Sequence, residues 1–304
     1  MVMKSTLLFL SRREKLKNFV LGFEFAQRVS RRFVSGETQE HAVQVVKELN
    51  QKGFVATLDH LGENVTNKEE AKNSAGEYLI LLDKINQAQA NSNVSCKLTQ
   101  MGLDLDFDFC LNNVRRIVEK AKQYGNFVRI DMEDSPRTEK TLQVCYALHQ
   151  EYSNVGAVIQ SYLYRSEEDV RNLLENKIRI RLCKGAYKEP RSVAFQKKKE
   201  VDDSFVKLMQ MMLKSGVYHG IATHDDKMIQ ATTEFARKEN ISKDGFEFQL
   251  LYGIRRELQE ELIKQGYNVR IYTPYGDQWY PYFMRRLAER PANLFFVAKN
   301  FFRR

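Results

Sequence analysis

Eight short stretches of this sequence end in side chains able to bind or hold charge. In order they finish on Asp59, Lys97, Asp131, Gln160, Arg181 with Lys184, Thr223 with His224, Gln249, and Tyr272. Lys97, Arg181 and Lys184 can receive a phosphate or carboxylate, arginine through a bidentate fork and lysine as a point charge. Asp131 suits orienting one of these cations, since a carboxylate beside a positive charge stays ionised. Taken together these residues also fit an ion-pair ring that closes one end of a fold. A desolvated lysine would permit Schiff-base chemistry on a carbonyl, with Lys184 or Lys97 as the nucleophile. His224 precedes Asp225 and Asp226, but the five histidines are scattered and show no H-x-H or H-x-x-x-H spacing, so no metal is expected. No G-x-G occurs, which excludes the usual dinucleotide fingerprint.

A second constellation lies at WYPYFMRRLAER, residues 279–290. At about 100° per residue, Tyr282, Arg285, Arg286 and Glu289 share one face of a helix, and Tyr280, Phe283, Met284 and Leu287 form the neighbouring apolar stripe. Glu289 follows Arg285 by four and Arg286 by three residues, placed to brace either guanidinium. Two readings stand side by side: a solvated i,i+4 ion pair, or two guanidinia and a phenol gathered to hold a small carboxylate.

The elements that must position these groups are legible as runs rich in β-branched and aromatic residues. They occupy 54–62, 94–98, 126–133, 156–163, 178–186, 220–224, 246–253 and 269–276, with polar segments of helical apolar spacing between them, such as 111–125. Strand-then-helix alternation predicts a parallel sheet with crossover helices. Eight such units predict a (β/α)8 TIM barrel, whose chemistry gathers at the C-terminal ends of the strands. The expected division is an N-terminal helical arm over residues 1–45 and a barrel domain over 46–304.

The chain has 304 residues, 48 lysines and arginines against 39 acidic residues, and a formal charge of +9. The excess is spread along the chain and suits a phosphate-bearing ligand or an anionic membrane surface, though solubility alone would accept it. No zinc-finger or RNA-recognition spacing appears, so no nucleic-acid partner is expected. The KKKE run at 197–200 reads as a solvated helix face. Cys96, Cys110, Cys145 and Cys183 form no C-x-x-C pair, which points to a reducing compartment. No apolar run approaches a membrane span, and the expected location is cytoplasmic. The basic N-terminal helix, with Arg12, Arg13, Lys15 and Lys17, is read as a solvated or packing arm, with contact at the inner face of the cytoplasmic membrane as the alternative.

Read in order, the strand ends carry a pattern. DHLGE (59–63), SCKL (95–98), RIDME (129–133), IQSYL (159–163), RLCKGAY (181–187), ATHD (222–225) and FEFQLLYG (246–253) precede Y-x-P-x-G (272–276) and YFMRRLAE (282–289). This series resembles proline dehydrogenase of the short, monofunctional bacterial type, over roughly residues 50–300. The resemblance implies a distorted (β/α)8 barrel that binds FAD without a Rossmann fold. It implies oxidation of L-proline to Δ1-pyrroline-5-carboxylate, with electrons passed to a membrane quinone and a separate pyrroline-5-carboxylate dehydrogenase taking the product. Carried over by motif, Arg285 and Arg286 clamp the proline carboxylate with Lys97 as third cation, Asp131 pairs with Lys97, and Glu289 steadies the arginines. Tyr187, Leu251, Tyr272 and Tyr282 enclose the ring, while Asp131, Arg181 and Tyr187 are the expected catalytic group. Met132, Gln160, Arg181, Lys184, Gly185, Ala186, Thr223 and His224 are the expected FAD contacts. One departure is Lys188 after Tyr187, where some relatives, notably the bifunctional ones, carry Trp. The rivals from the residues alone are a Schiff-base lyase and a non-catalytic anion-binding barrel.

Overall fold

The computed structural model describes residues 32–62, 65–282 and 284. Eight parallel strands close into a barrel in sequence order: β1 (Val55–His60), β2 (Ser92–Lys97), β3 (Val128–Asp131), β4 (Val155–Gln160), β5 (Ile180–Cys183), β6 (His219–Ala222), β7 (Phe246–Leu251) and β8 (Asn268–Tyr275). β8 pairs with β1 over six residues, from Val55 opposite Arg270 to His60 opposite Tyr275, which leaves no free sheet edge among them. All eight expected strands are present. The run at 178–186 stops being strand at Cys183, because the segment beyond turns into the mouth.

Helix α1 (Gln39–Gln51) precedes β1 and runs across position 45, where the arm was expected to end. Then follow α2 (Lys68–Gln87), α3 (Phe107–Gln123), α4 (Thr138–Tyr152), α5 (Ser166–Glu175), α6 (Lys198–Lys214), α7 (Asp226–Lys238) and α8 (Arg256–Lys264), one after each strand from β1 to β7. Their starts are locally encoded. Thr38, Asn67 and Asp106 each accept a backbone N–H of the first turn of α1, α2 and α3, satisfying a donor the helix cannot.

The strands alternate between two environments. Ala56, Leu58, Val94, Cys96, Val128, Ile130, Ile180, Leu182, Phe248, Leu250, Val269 and Ile271 belong to the main apolar core, shared with the helices. The residues between them are largely polar and point into the barrel. Thr57 bonds Asn93, Asn93 accepts from Arg270 at 3.2 Å, and Arg270 pairs with Glu247 at 2.7 Å. Burying such groups is tolerated only because each is paired. The interior is thus a ladder of hydrogen bonds rising from the N-terminal end of the strands toward the mouth.

Candidate active site

The register brings the charged strand ends together. Lys97 lies opposite Asp131 across β2 and β3, and Leu251 lies opposite Tyr272 across β7 and β8. Asp131 is the hub: its Oδ1 accepts from Arg181 Nη1 at 2.7 Å and from Ser95 Oγ, and its Oδ2 accepts from the Tyr272 hydroxyl at 2.8 Å. The Arg181 guanidinium also stacks 5.2 Å from the centre of the Tyr272 ring. Tyr272 is held well above the usual phenol range, first by burial and then by the negative charges of Asp131 and Asp59. It therefore acts as a hydrogen-bond donor.

Lys97 turns the other way. Its Nζ sits 3.1 and 3.0 Å from the two oxygens of Asp59 on β1, against 3.9 Å from Asp131. The closer partner is thus Asp59, because Asp131 already serves Arg181, Ser95 and Tyr272. Burial pushes the Asp59 carboxyl up and the Lys97 ammonium opposes that push. The two-oxygen geometry is that of a carboxylate held by an ammonium.

One cavity of about 700 Å³ spans the C-terminal ends of the strands. Every expected site residue within the described part lines it: Lys97, Asp131, Met132, Gln160, Arg181, Lys184, Gly185, Ala186, Tyr187, Thr223, His224, Leu251, Tyr272 and Tyr282. Arg285, Arg286 and Glu289 lie outside the described residues. Tyr282 is nearly buried and belongs to helical residues that begin at 279. At Gly185 the backbone has φ +106°, and a Cβ there would come 2.5 Å from the Tyr162 ring. Only glycine lets the chain leave β5 along this path.

Lys184 lines the cavity with its ammonium already paired. Its Nζ bridges Asp202 on α6 at 2.5 Å and Asp225 at 2.7 Å. Asp225 also accepts from the Lys227 N–H and so caps α7. Against the upward push of burial, Lys184 and Lys198 hold the Asp225 carboxyl down at about 2. An amine clasped by two carboxylates suits a brace between loops better than a nucleophile, which weakens the Schiff-base reading. His224 Nε2 accepts from the Leu251 N–H at 3.1 Å, and its carbonyl accepts from Arg255 at 2.7 Å. Among the described residues no group of three or more His, Cys, Asp or Glu is arranged to hold a metal.

Sequence reasoning placed Asp59 and Gln249 at strand ends without giving either a partner, and it missed Ser95, Asp202 and Asp225 as partners. Ser95 could have been found, since it stands two residues before Lys97 and shares its face. Asp202 could not, because it arrives from a helix.

The proline dehydrogenase family profile matches residues 42–299. The chain belongs to that family. It is accordingly an enzyme, an oxidoreductase. It is 45% identical over 298 residues to proline dehydrogenase 1 of Bacillus subtilis, covering 98% of each chain. To the proline dehydrogenase of Deinococcus radiodurans it is 43% identical over 276 residues, 89% of each. Among solved structures it is similar to proline utilization A from Bdellovibrio bacteriovorus inactivated by N-propargylglycine, with a TM-score of 0.82 at 26% identity. That match covers 87% of this chain and spans 33% of the larger one.

Proposed function

We propose that this family member oxidises L-proline to Δ1-pyrroline-5-carboxylate at the barrel mouth, with FAD as the hydride acceptor and a membrane quinone as the final one. The observation that carries the reading is the convergence of Lys97, Arg181 and Tyr272 on two buried carboxylates in the wall of one cavity. Proline offers a carboxylate as its strong handle. Lys97, with Arg285 and Arg286, supplies cations to hold it, while Tyr272, Tyr282, Leu251 and Tyr187 pack the ring. A clamp at one end of a small rigid ring fixes the other end, which is what a near-attack geometry needs.

The residues at the other side of the cavity fit FAD. Arg181 Nη2 and Gln160 Oε1 are buried and have no hydrogen-bond partner among the described residues, leaving a donor and an acceptor for a polar ring system. Gln160, Arg181, Lys184, Gly185, Ala186, Thr223, His224 and Met132 would hold the cofactor. When bound, it supplies the two-electron acceptor, and the protein supplies orientation and electrostatics. Arg181 brings fixed positive charge where reduction adds negative charge. Asp131 holds that guanidinium and the Tyr272 hydroxyl in one arrangement.

No described helix is long and apolar enough to cross a membrane. Delivery of electrons to a quinone is assigned to peripheral contact at the inner face of the cytoplasmic membrane, for which Arg12, Arg13, Lys15 and Lys17 supply charge. The product passes to a separate pyrroline-5-carboxylate dehydrogenase. The test is direct: purified protein should be yellow, and anaerobic L-proline should bleach its flavin absorbance. Colourless protein that takes up no added FAD, or yellow protein that proline does not bleach, would defeat the proposal.

A further inference from the structure

Below the mouth, the barrel interior carries a polar relay that the proline and cofactor assignments leave unused. Glu247 and Gln249 are two residues apart on β7 and project to the same side, both almost fully buried. Glu247 Oε1 accepts from Arg270 Nε at 2.7 Å and from Gln249 Nε2 at 2.6 Å. Its other oxygen accepts from the Tyr218 hydroxyl at 3.0 Å. Gln249 Oε1 in turn accepts from Arg181 Nε. The amide has one possible orientation. A guanidinium only donates and an ionised carboxylate only accepts, so a flipped amide would set donor against donor and acceptor against acceptor.

Arg181 is therefore held from two sides. Gln249 takes Nε, Asp131 takes Nη1 at 2.7 Å, and Nη2 is the buried nitrogen left over. Two fixed bonds on a planar group define its plane as well as its position. Gly220 on β6, in register with both Arg181 and Glu247, makes the relay possible. A Cβ at that position would come 2.3 Å from Gln249 Nε2, so a side chain there would displace the amide.

We propose that Gln249 is a positioning residue, oriented by Glu247 and given room by Gly220, which sets the plane of Arg181 so that Nη2 faces the bound cofactor. The inference rests on the FAD reading above. It makes the reduction potential of the cofactor depend on a side chain whose amide oxygen and nitrogen are taken up by Arg181 and Glu247. Preorganised charge is effective because nothing has to turn as charge develops.

The test is a redox titration of the FAD-loaded protein and of Gln249→Leu, Arg181→Met and the double variant. Gln249→Leu should lower the midpoint potential in the same direction as Arg181→Met, and slow reduction by proline about tenfold, with the KM for proline changed less than about twofold. In the Arg181→Met background, Gln249→Leu should cause no further shift, because its effect passes through Arg181. If Arg181→Met sheds FAD, Arg181→Lys closes the same cycle. Gly220→Ala moves the amide without altering it and should shift the potential in the same direction, so a poorly folding Gln249→Leu does not end the test. Unchanged potentials in Gln249→Leu and Gly220→Ala, or effects additive with Arg181→Met, overturn the proposal while the FAD reading stands. Parent protein that takes up no FAD overturns both.

Discussion

Asp59 and Asp131 divide the cations between them, and the consequences differ. Asp59 spends both oxygens on Lys97, while Asp131 spreads its own over Arg181, Ser95 and Tyr272. Removing Lys97 would leave burial and the charge of Asp131 pushing the Asp59 carboxyl up, opposed only by the smaller effect of the Tyr272 hydroxyl. That carboxyl would then take a proton, so Lys97→Met should fold. The KM of that variant for proline should rise about tenfold or more with its FAD content unchanged, since what is lost is substrate binding. Steady-state kinetics with the flavin absorbance as loading control checks this, and an unaltered KM would remove Lys97 from the clamp. Arg285→Met and Arg286→Lys should likewise raise KM for proline strongly while FAD stays bound. The lysine variant is informative because it keeps charge and loses the bidentate fork.

At the scale of elements, β6 carries a pH dependence of its own. His219 is fully buried, accepts from the Ile180 N–H through Nδ1 at 3.0 Å, and has Ser215 Oγ 3.0 Å from Nε2. Burial, with the nearby Arg129 and Arg179, lowers its pKa to about 3. The unfolded chain takes up this proton near pH 6.5, and the folded one refuses it until about pH 3. Stability from His219 is thus complete above about pH 6.5 and is lost progressively as the pH falls below it. His60, also lowered by burial, acts in the same direction. Urea midpoints between pH 7 and 5 should therefore fall less steeply for His219→Gln than for the parent protein. Parallel profiles would show that this histidine does not drive the dependence. A different window belongs to the brace between α6 and α7. Asp225, held at about 2 by Lys184 and Lys198, contributes fully above about pH 4 and loses its contribution only toward pH 2.

For the molecule as a whole, the cavity matters because its walls come from all eight strands of the closed barrel. Residues from β1 (Asp59) through β8 (Tyr272) line it. A ligand held there touches segments more than 200 residues apart in sequence, so its binding free energy adds to the stability of the entire fold. FAD at a hundred times its Kd should stabilise the protein by about 2.7 kcal/mol, which for a chain of 304 residues is roughly 4 °C in Tm. Thermal melting of flavin-free protein with and without added FAD measures this. No shift at FAD concentrations far above the expected Kd would mean that the folded protein does not bind it.

Much of this was present in the sequence. Strands buried in a parallel barrel read as apolar β-branched runs, and a polar residue at the end of such a run has few places to go but the mouth. The runs at 54–62, 126–133 and 246–253 thereby announced Asp59, Asp131 and Gln249, and the ordered motifs announced the family. The pairings were decided only by tertiary structure. That Lys97 holds Asp59 more closely than Asp131 depends on barrel closure and on how many donors Asp131 already serves. Lys184 finds Asp202 and Asp225 on elements 18 and 41 residues away, and Gln249 reaches Arg181 because Gly220 stands between them without a side chain. Hydrogen bonds and ion pairs depend on separations of a few tenths of an ångström. A sequence states which groups are available, and only the closed barrel sets those distances.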